Sequence, residues 1–249
     1  MTSNELVKIE NCDYAYNKNK NFVLSKNKVT EKINPLVLKN INLELKRNNI
    51  YGVIGPNGSG KSTLLQLIFN LLNPSKGKII RSFNNGKLIE NSGFFHEELS
   101  AFDNFKAFYL MEYEYNLNSD LFKDKQELFK ILTQLNHEDL NKPIVNLSKG
   151  MRSKVGFGLT MTFMDNVDFI GLDEFFSFGD DLYKSFSSNY IKNEIKKTGS
   201  AILVSHSVAL IGNICDEVIF IDKGVVVDCG SPKHVINQYL GSIGAQLWK

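Results

Sequence analysis

Cysteine, one-signed charge and long apolar runs are what this sequence has least of, and each scarcity excludes something. Three cysteines in 249 residues, Cys12, Cys215 and Cys229, are too few and too scattered for a disulfide framework or a zinc site. Their odd number points the same way, and a reducing cytosol is the expected compartment. The 29 basic and 27 acidic side chains nearly cancel, which excludes the electrostatic footprint of a nucleic-acid binder. The two most apolar stretches, 156–172 and 201–221, are interrupted by Asp165 and Asp168 in one and by His206, Asp216 and Glu217 in the other. Neither is expected to span a bilayer, so any route through lipid must come from another chain. The opening residues, 1–10, are polar and charged and carry no signal-peptide pattern. No internal repeat recurs at solenoid periods.

What is present suits an ordinary globular fold. Hydrophobic residues make up 43% of the chain, enough for one large domain or two small ones. An alternating strand at 6–10 is followed by an Asn/Lys-rich stretch at 17–34, read as an exposed loop, and by a second strand at 36–45 that makes an antiparallel edge with the first. A short apolar strand at 50–54 runs through a glycine-rich turn into a helical pattern at 63–72. From about 100 to 140 the pattern is helical and aromatic, with Phe102, Phe105, Phe108, Tyr109 and Tyr113 at largely three- and four-residue steps. Further on, apolar strands at 167–172, 201–205 and 218–221 alternate with helical runs at 185–197 and 208–214. Such alternation implies an α/β fold, a mainly parallel sheet with helices on both faces. The aromatic stretch reads as a helical subdomain, at about 98–160, inserted into a single domain spanning 1–249.

The chemistry begins at Gly55-Pro56-Asn57-Gly58-Ser59-Gly60-Lys61-Ser62, a G-x-x-x-x-G-K-[ST] pattern with Thr63 opening the helix. Glycines let consecutive backbone N–H groups converge on phosphate oxygens, and the helix N-terminus adds its dipole. Lys61 then reaches the terminal phosphates and Ser62 ligates Mg²⁺. A chance glycine-rich turn is the bland alternative, and few such turns stand between a strand and a helix.

Asp173-Glu174 closes an apolar strand, where Asp173 suits a Mg²⁺ ligand and Glu174 the polarisation of an attacking water; an acidic pair capping the next segment is the alternative. Leu147-Ser148-Lys149-Gly150-Met151 precedes a helical run at 152–164. Ser148 and the Gly150 N–H form an anion site there, unless Ser148 is a plain N-cap. The chain already has one phosphate cradle, so this second site would serve another chain's phosphate. His206 ends another apolar strand, from which it either approaches the terminal phosphate or serves structure alone.

In this order these residues resemble the nucleotide-binding domain of ABC transporters, a P-loop NTPase, over nearly the whole chain. The resemblance assigns Walker A to 55–63, the signature to 147–151, Walker B to 169–173 and the switch histidine to His206. It implies ATP with Mg²⁺ as ligands, Lys61, Glu174 and His206 as catalytic groups, and Ser62 and Asp173 at the metal. It also implies a head-to-tail homodimer in which ATP bound at Lys61 of one copy is completed by Ser148 and Gly150 of the other. Integral membrane permease subunits would hold the pair at the cytoplasmic face of the membrane. Tyr16 matches the aromatic that stacks on adenine, with Tyr14 as the alternative.

A narrower likeness rests on Ser148-Lys149-Gly150-Met151-Arg152-Ser153-Lys154 and on Phe178-Gly179-Asp180 after Asp173-Glu174. These look like the branch that exports capsular polysaccharide, O-antigen or teichoic acid chains. The end at Lys249 leaves no room for the carbohydrate-binding domain common in O-antigen members, so the capsule type is expected. Two departures stand out. No glutamine occupies the Q-loop stretch at 90–96, and Gly171 interrupts a strand that is normally aliphatic, which calls for close packing by a neighbour. Phe94, Phe95 and His96 in that stretch are either permease anchors or core residues beneath Phe102 and Phe105. Rival classes are a nucleic-acid- or ribosome-remodelling ATPase, which usually has a second cassette or a coiled-coil insertion; a P-loop kinase, which has no use for 147–151; and a regulatory module without turnover.

Replacing Lys61 with Ala is expected to abolish tight ATP binding, because the β and γ phosphates lose their compact cation. Titration with a fluorescent ATP analogue checks this, and unchanged affinity would overturn the phosphate-loop assignment.

Overall fold

The computed structural model describes residues 4–16, 35–90, 95–113, 117, 119–174 and 181–248. The Asn/Lys-rich stretch 17–34, residues 91–94 of the Q-loop stretch, and Phe178-Gly179-Asp180 lie outside the described residues. The chain divides into two units, one formed by 1–88, 168–173 and 199–249, the other by 89–167 and 174–198.

The first unit contains β1 (Glu5–Tyr14), β2 (Leu38–Lys46), β3 (Ile50–Ile54), α1 (Lys61–Ile68), β4 (Lys76–Arg81) and β5 (Gly86–Glu90), the last of which runs to the boundary between the units. In the second unit lie α2 (Ala101–Glu112), α3 (Asp120–Thr133), α4 (His137–Asn141) and α5 (Lys149–Thr162). The chain then returns through β6 (Phe169–Asp173), contributes α6 (Asp181–Thr198) to the second unit, and ends in β7 (Ala201–Val204), α7 (Val208–Ile214), β8 (Glu217–Asp222), β9 (Val225–Gly230) and α8 (Pro232–Ser242).

The main sheet has the order β5-β6-β7-β3-β8-β9, with β6, β7, β3 and β8 mutually parallel and β9 returning antiparallel beside β8. The antiparallel strands expected ahead of the glycine turn form a sheet of their own, β2-β1-β4. Helix α1 lies in the core between the two sheets. Leu64, Leu65, Leu67 and Ile68 share one cluster with Leu6, Val7 and Ile9 from β1 and with Tyr51, Val53, Ile202, Val204, Ile219 and Ile221 from the main sheet. The two-residue spacing of those last residues puts them on one face of the pleat. The other face is closed by α7, to which Gly52 offers its flat backbone: a Cβ there would lie 2.5 Å from Ile211 Cγ2. Burial on both faces is why these strands are continuously apolar.

Gly171 on β6 meets the same demand. Phe69 stacks on Phe169 with centroids 4.9 Å apart, and a Cβ at Gly171 would sit 2.4 Å from Phe69 Cε2 and 2.8 Å from Leu88 Cδ1. The close packing expected from the interrupted strand is therefore present.

In the second unit the aromatic run becomes a core. Phe105 stacks against Phe129 at 5.1 Å and Phe163 at 5.7 Å and tilts against Phe122 at 5.5 Å. Helices α2 to α5 start on side-chain caps, Ser100 for α2, Ser119 for α3, Asn136 for α4 and Ser148 for α5, as short polar side chains there satisfy orphan N–H groups. Buried Asn104 holds the approach to α2, accepting from His96 N at 2.7 Å and donating to His96 O at 3.0 Å. Phe95 is half-buried against the same aromatic cluster, in line with the core alternative for that residue. Lys125, 7% exposed, donates to Thr162 O at 2.8 Å and pairs with Asp165, so it caps the C-terminal end of α5. Among the described residues no helix is long and apolar enough to cross a membrane.

Gly171→Ala forces the new methyl into the Phe69 ring, and such overpacking costs about 1–3 kcal/mol. A lower melting temperature is expected, by roughly 2–4 °C per kcal/mol. An unchanged thermal melt would contradict the packing described.

Candidate functional site

The site of the first unit grows from strand register. Val53 of β3 and Asp173 of β6 both pair with Val204 of β7, so the three parallel strands end level at their carboxyl edge. The chain leaves that edge as Gly55 after β3, as Glu174 after β6 and as Ser205-His206 after β7. Open parallel sheets collect ligands at such an edge.

The loop after β3 needs its glycines. Gly55 has φ +151°, and a Cβ there would be 2.0 Å from Ile221 O; Gly60, with φ +106°, is the N-cap of α1 and lies against Leu38. Only glycine accepts both the left-handed conformation and the close approach. Ser59 O accepts from Gly224 N at 3.1 Å, and Gly224 O accepts from Lys39 N at 2.8 Å, so the β8–β9 turn braces the loop from outside. Sequence reasoning missed this brace. Its signal was Lys223-Gly224 between apolar strands, whose positive φ values of 48° and 82° fit a two-residue hairpin turn.

Lys61, buried, folds back inside the loop, with Nζ donating to Gly55 O at 3.0 Å and to Pro56 O at 2.9 Å. Ser62 is exposed and Thr63 buried. The Ser59 hydroxyl is buried with no hydrogen-bond partner among the described residues, an arrangement that costs free energy unless a ligand completes it. Asn57 and Gly58 form the open lip of the loop, where a Cβ on Gly58 would meet nothing within 4 Å. Together with the N-terminus of α1 these groups fit a polyphosphate. The oxygen donors Ser62 and Asp173 are of the kind a hard divalent cation takes. Asp173 is 9% exposed. Glu174 is exposed and adopts φ 54°, a left-handed conformation that is uncommon for a residue with a side chain. His206 is exposed at the tip of β7.

The two tyrosines separate cleanly. Tyr14 is 7% exposed and packs into the core of the first unit, whereas Tyr16 is 46% exposed, stands edge-on to Tyr14 with centroids 5.0 Å apart, and shares a hydrogen bond of 3.1 Å with Thr63 Oγ1. Among the described residues a half-open ring beside the loop leaves room for a base; a core ring does not.

In the second unit Ser148 caps α5, its Oγ accepting from Met151 N at 3.2 Å. The N-cap role is thus filled, and Ser148 is also exposed, while a Cβ added at Gly150 would meet nothing within 4 Å. The first turn of α5 has no acidic residue. An open, acid-free helix N-terminus is favourable to an anion.

A glycine loop joining a parallel strand to a helix start, at the level edge of a parallel sheet, defines a P-loop nucleotide-binding fold. More closely, the chain belongs to the ABC transporter family, whose model matches residues 38–177. It is similar to the teichoic acids export ATP-binding protein TagH of Bacillus cereus, 31% identical over 211 residues that cover 81% of this chain and 36% of that protein. It is also similar to the polysialic acid transport ATP-binding protein KpsT of Escherichia coli, 32% identical over 190 residues, 75% of this chain and 82% of that one. This chain spans 36% to 64% of the length of several curated relatives it matches. Its fold is similar to that of a dimeric ATP-binding cassette solved in a post-hydrolysis state with ADP and Pi, with a TM-score of 0.71 over 91% of this chain and 99% of that one, at 19% identity.

Tyr16→Ala is expected to weaken ATP binding about 5- to 100-fold, as loss of one base-stacking aromatic does, and to leave the thermal melt close to that of the native chain. Tyr14→Ala is expected to lower the melting temperature instead. The opposite pattern in nucleotide titrations and melts would transfer the stacking role to Tyr14.

Proposed function

We propose that this chain is the ATP-binding and ATP-hydrolysing subunit of an ABC exporter that moves a polysaccharide or other surface glycan across the cytoplasmic membrane. Residues 1–249 act as one cassette with an inserted helical part, paired head to tail with a second copy and held at the cytoplasmic face by integral membrane permease subunits. The glycan substrate is supported by the relatives, whose names speak of teichoic acid and polysialic acid. The observation that carries the pairing is the duplication of anion sites: the exposed, acid-free start of α5 with Ser148 stands in a chain whose own phosphate loop is already complete.

In this reading the backbone of 55–60 and the start of α1 bind the phosphates of ATP. Lys61 exchanges its bonds to the Gly55 and Pro56 carbonyls for phosphate oxygens, which leaves the loop geometry in place before the ligand arrives. Tyr16 carries the adenine. Ser62 and Asp173 hold Mg²⁺, which when bound neutralises charge on the transferred phosphoryl group. Glu174 orients and polarises the attacking water, and His206 stabilises the terminal phosphate. Ser148 Oγ and the Gly150 N–H of the other copy close the site and shut out bulk water, so hydrolysis is tied to pairing.

Glu174→Gln keeps the cradle and Asp173 but removes the carboxylate that accepts a proton from the attacking water. Turnover is expected to fall by about 10²- to 10⁴-fold, and Mg²⁺-ATP is expected to trap a dimer on size-exclusion chromatography. A variant that hydrolyses at the native rate, or that stays monomeric with ATP, would contradict the reading. Ser148→Arg is expected to block the dimer while each copy still binds nucleotide.

A further inference from the structure

The run Gly150-Met151-Arg152 contains a side chain that the nucleotide chemistry above does not use. Arg152 lies in the first turn and a half of α5, where the helix dipole disfavours a cation. Its guanidinium folds back past the helix start. Nε donates to Leu147 O at 3.0 Å, Nη2 donates to Val145 O at 2.6 Å, and Nη1 lies 3.7 Å from Glu97 Oε1. The segment it grips is tied on its other side as well. Val145 N donates to Glu97 O at 2.9 Å and Ile144 N to Leu99 O at 3.0 Å, while Ser100 and Pro143 form an antiparallel bridge.

The carbonyls of 145 and 147 therefore converge on one rigid fork, and the residue that follows them is Ser148. A planar guanidinium with five donors in fixed directions can bond two carbonyls while its charge stays within ion-pair distance of a carboxylate. A lysine reaches as a point charge, and a glutamine has one amide, so neither reproduces the arrangement. The Ser148 hydroxyl is held at the same time by the Met151 N–H. The backbone before Ser148 and the helix behind it are thus both tied by hydrogen bonds.

We infer that Arg152 is a positioning residue for Ser148: it locks the turn at 145–147 ahead of α5 and ties it through Glu97 to the segment at 97–100 that leads into α2. Its effect on turnover rests on the proposed role of Ser148 toward the other copy's nucleotide, whereas its effect on the turn does not. Any displacement of the 97–100 segment is then felt at Ser148 through backbone pairs and one side chain. That segment enters α2 directly.

The test uses the full chain with Arg152→Met and Arg152→Lys, each alone and combined with Glu174→Gln. In Arg152→Met, hydrogen exchange at the amides of 144–151 is expected to speed up by about 10-fold or more, while the interior of α5 and the thermal melt stay close to native. Affinity for a fluorescent ATP analogue is expected to be unchanged, kcat to fall about 10- to 100-fold with little change in KM, as for a misplaced catalytic contact, and Arg152→Lys to recover part of it. Native exchange at 144–151 would overturn the inference. So would a loss of kcat in both variants that merely follows a loss of melting temperature. Faster exchange at 144–151, in a chain whose Glu174→Gln form ignores ATP, would uphold the locked turn and remove the proposed role of Ser148 in pairing.

Discussion

The proposed phosphate loop would gather backbone N–H groups around a common centre, where they repel one another and need a frame that keeps them there without a ligand. Three features supply it. The parallel strand β3 delivers the loop at the sheet's carboxyl edge, and Gly55 packs so tightly on Ile221 O that no side chain fits. The β8–β9 turn grips Ser59 from outside. Lys61 fills the middle, its ammonium bonded to the Gly55 and Pro56 carbonyls. A cradle held open in this way loses little order on binding phosphate, which is what preorganisation means in energetic terms.

The rest of the first unit follows from holding that frame still. Helix α1 is buried between two sheets, and Arg81 of β4 bonds the carbonyls of Ile68 and Leu67 at its far end, so it is fixed at both ends. Because β3, β6 and β7 end level, Asp173 and His206 come to the same edge through register, without any contact between them being required. The second unit solves a different problem with similar means: side-chain caps start its helices, stacked phenylalanines hold them, and α5 presents an open N-terminus.

Most of the candidate site's geometry was legible in the sequence because it is local. The glycine spacing, the carboxylates after an apolar strand and the serine before a helix each depend on neighbours in the chain. Gly171 was legible as a demand for space, although Phe69 as the occupant was not, since that contact joins residues about a hundred positions apart. The strand β4 escaped notice because its exposed lysines break the apolar alternation, and β9 because its valines face solvent on one side, so neither pattern names a core face; their partners are set by the sheet. Tyr14 and Tyr16 could not be separated by pattern, since only burial distinguishes a core ring from an open one. The grip of Arg152 on two carbonyls was equally hidden, because backbone acceptors leave no mark on composition.

The central claim is that one nucleotide site draws residues from two copies of the chain, and mixing two inactive variants tests it most directly. Lys61→Ala lacks the phosphate cation but keeps Ser148; Ser148→Ala keeps the cation but removes the hydroxyl offered to the partner's nucleotide without blocking the interface. Each alone is expected to be without turnover. Mixed, they form pairs in which one site has Lys61 from one copy and Ser148 from the other, and ATP hydrolysis measured on the mixture is expected to return. A mixture as inactive as its components, or native turnover by Ser148→Ala alone, would contradict the shared site.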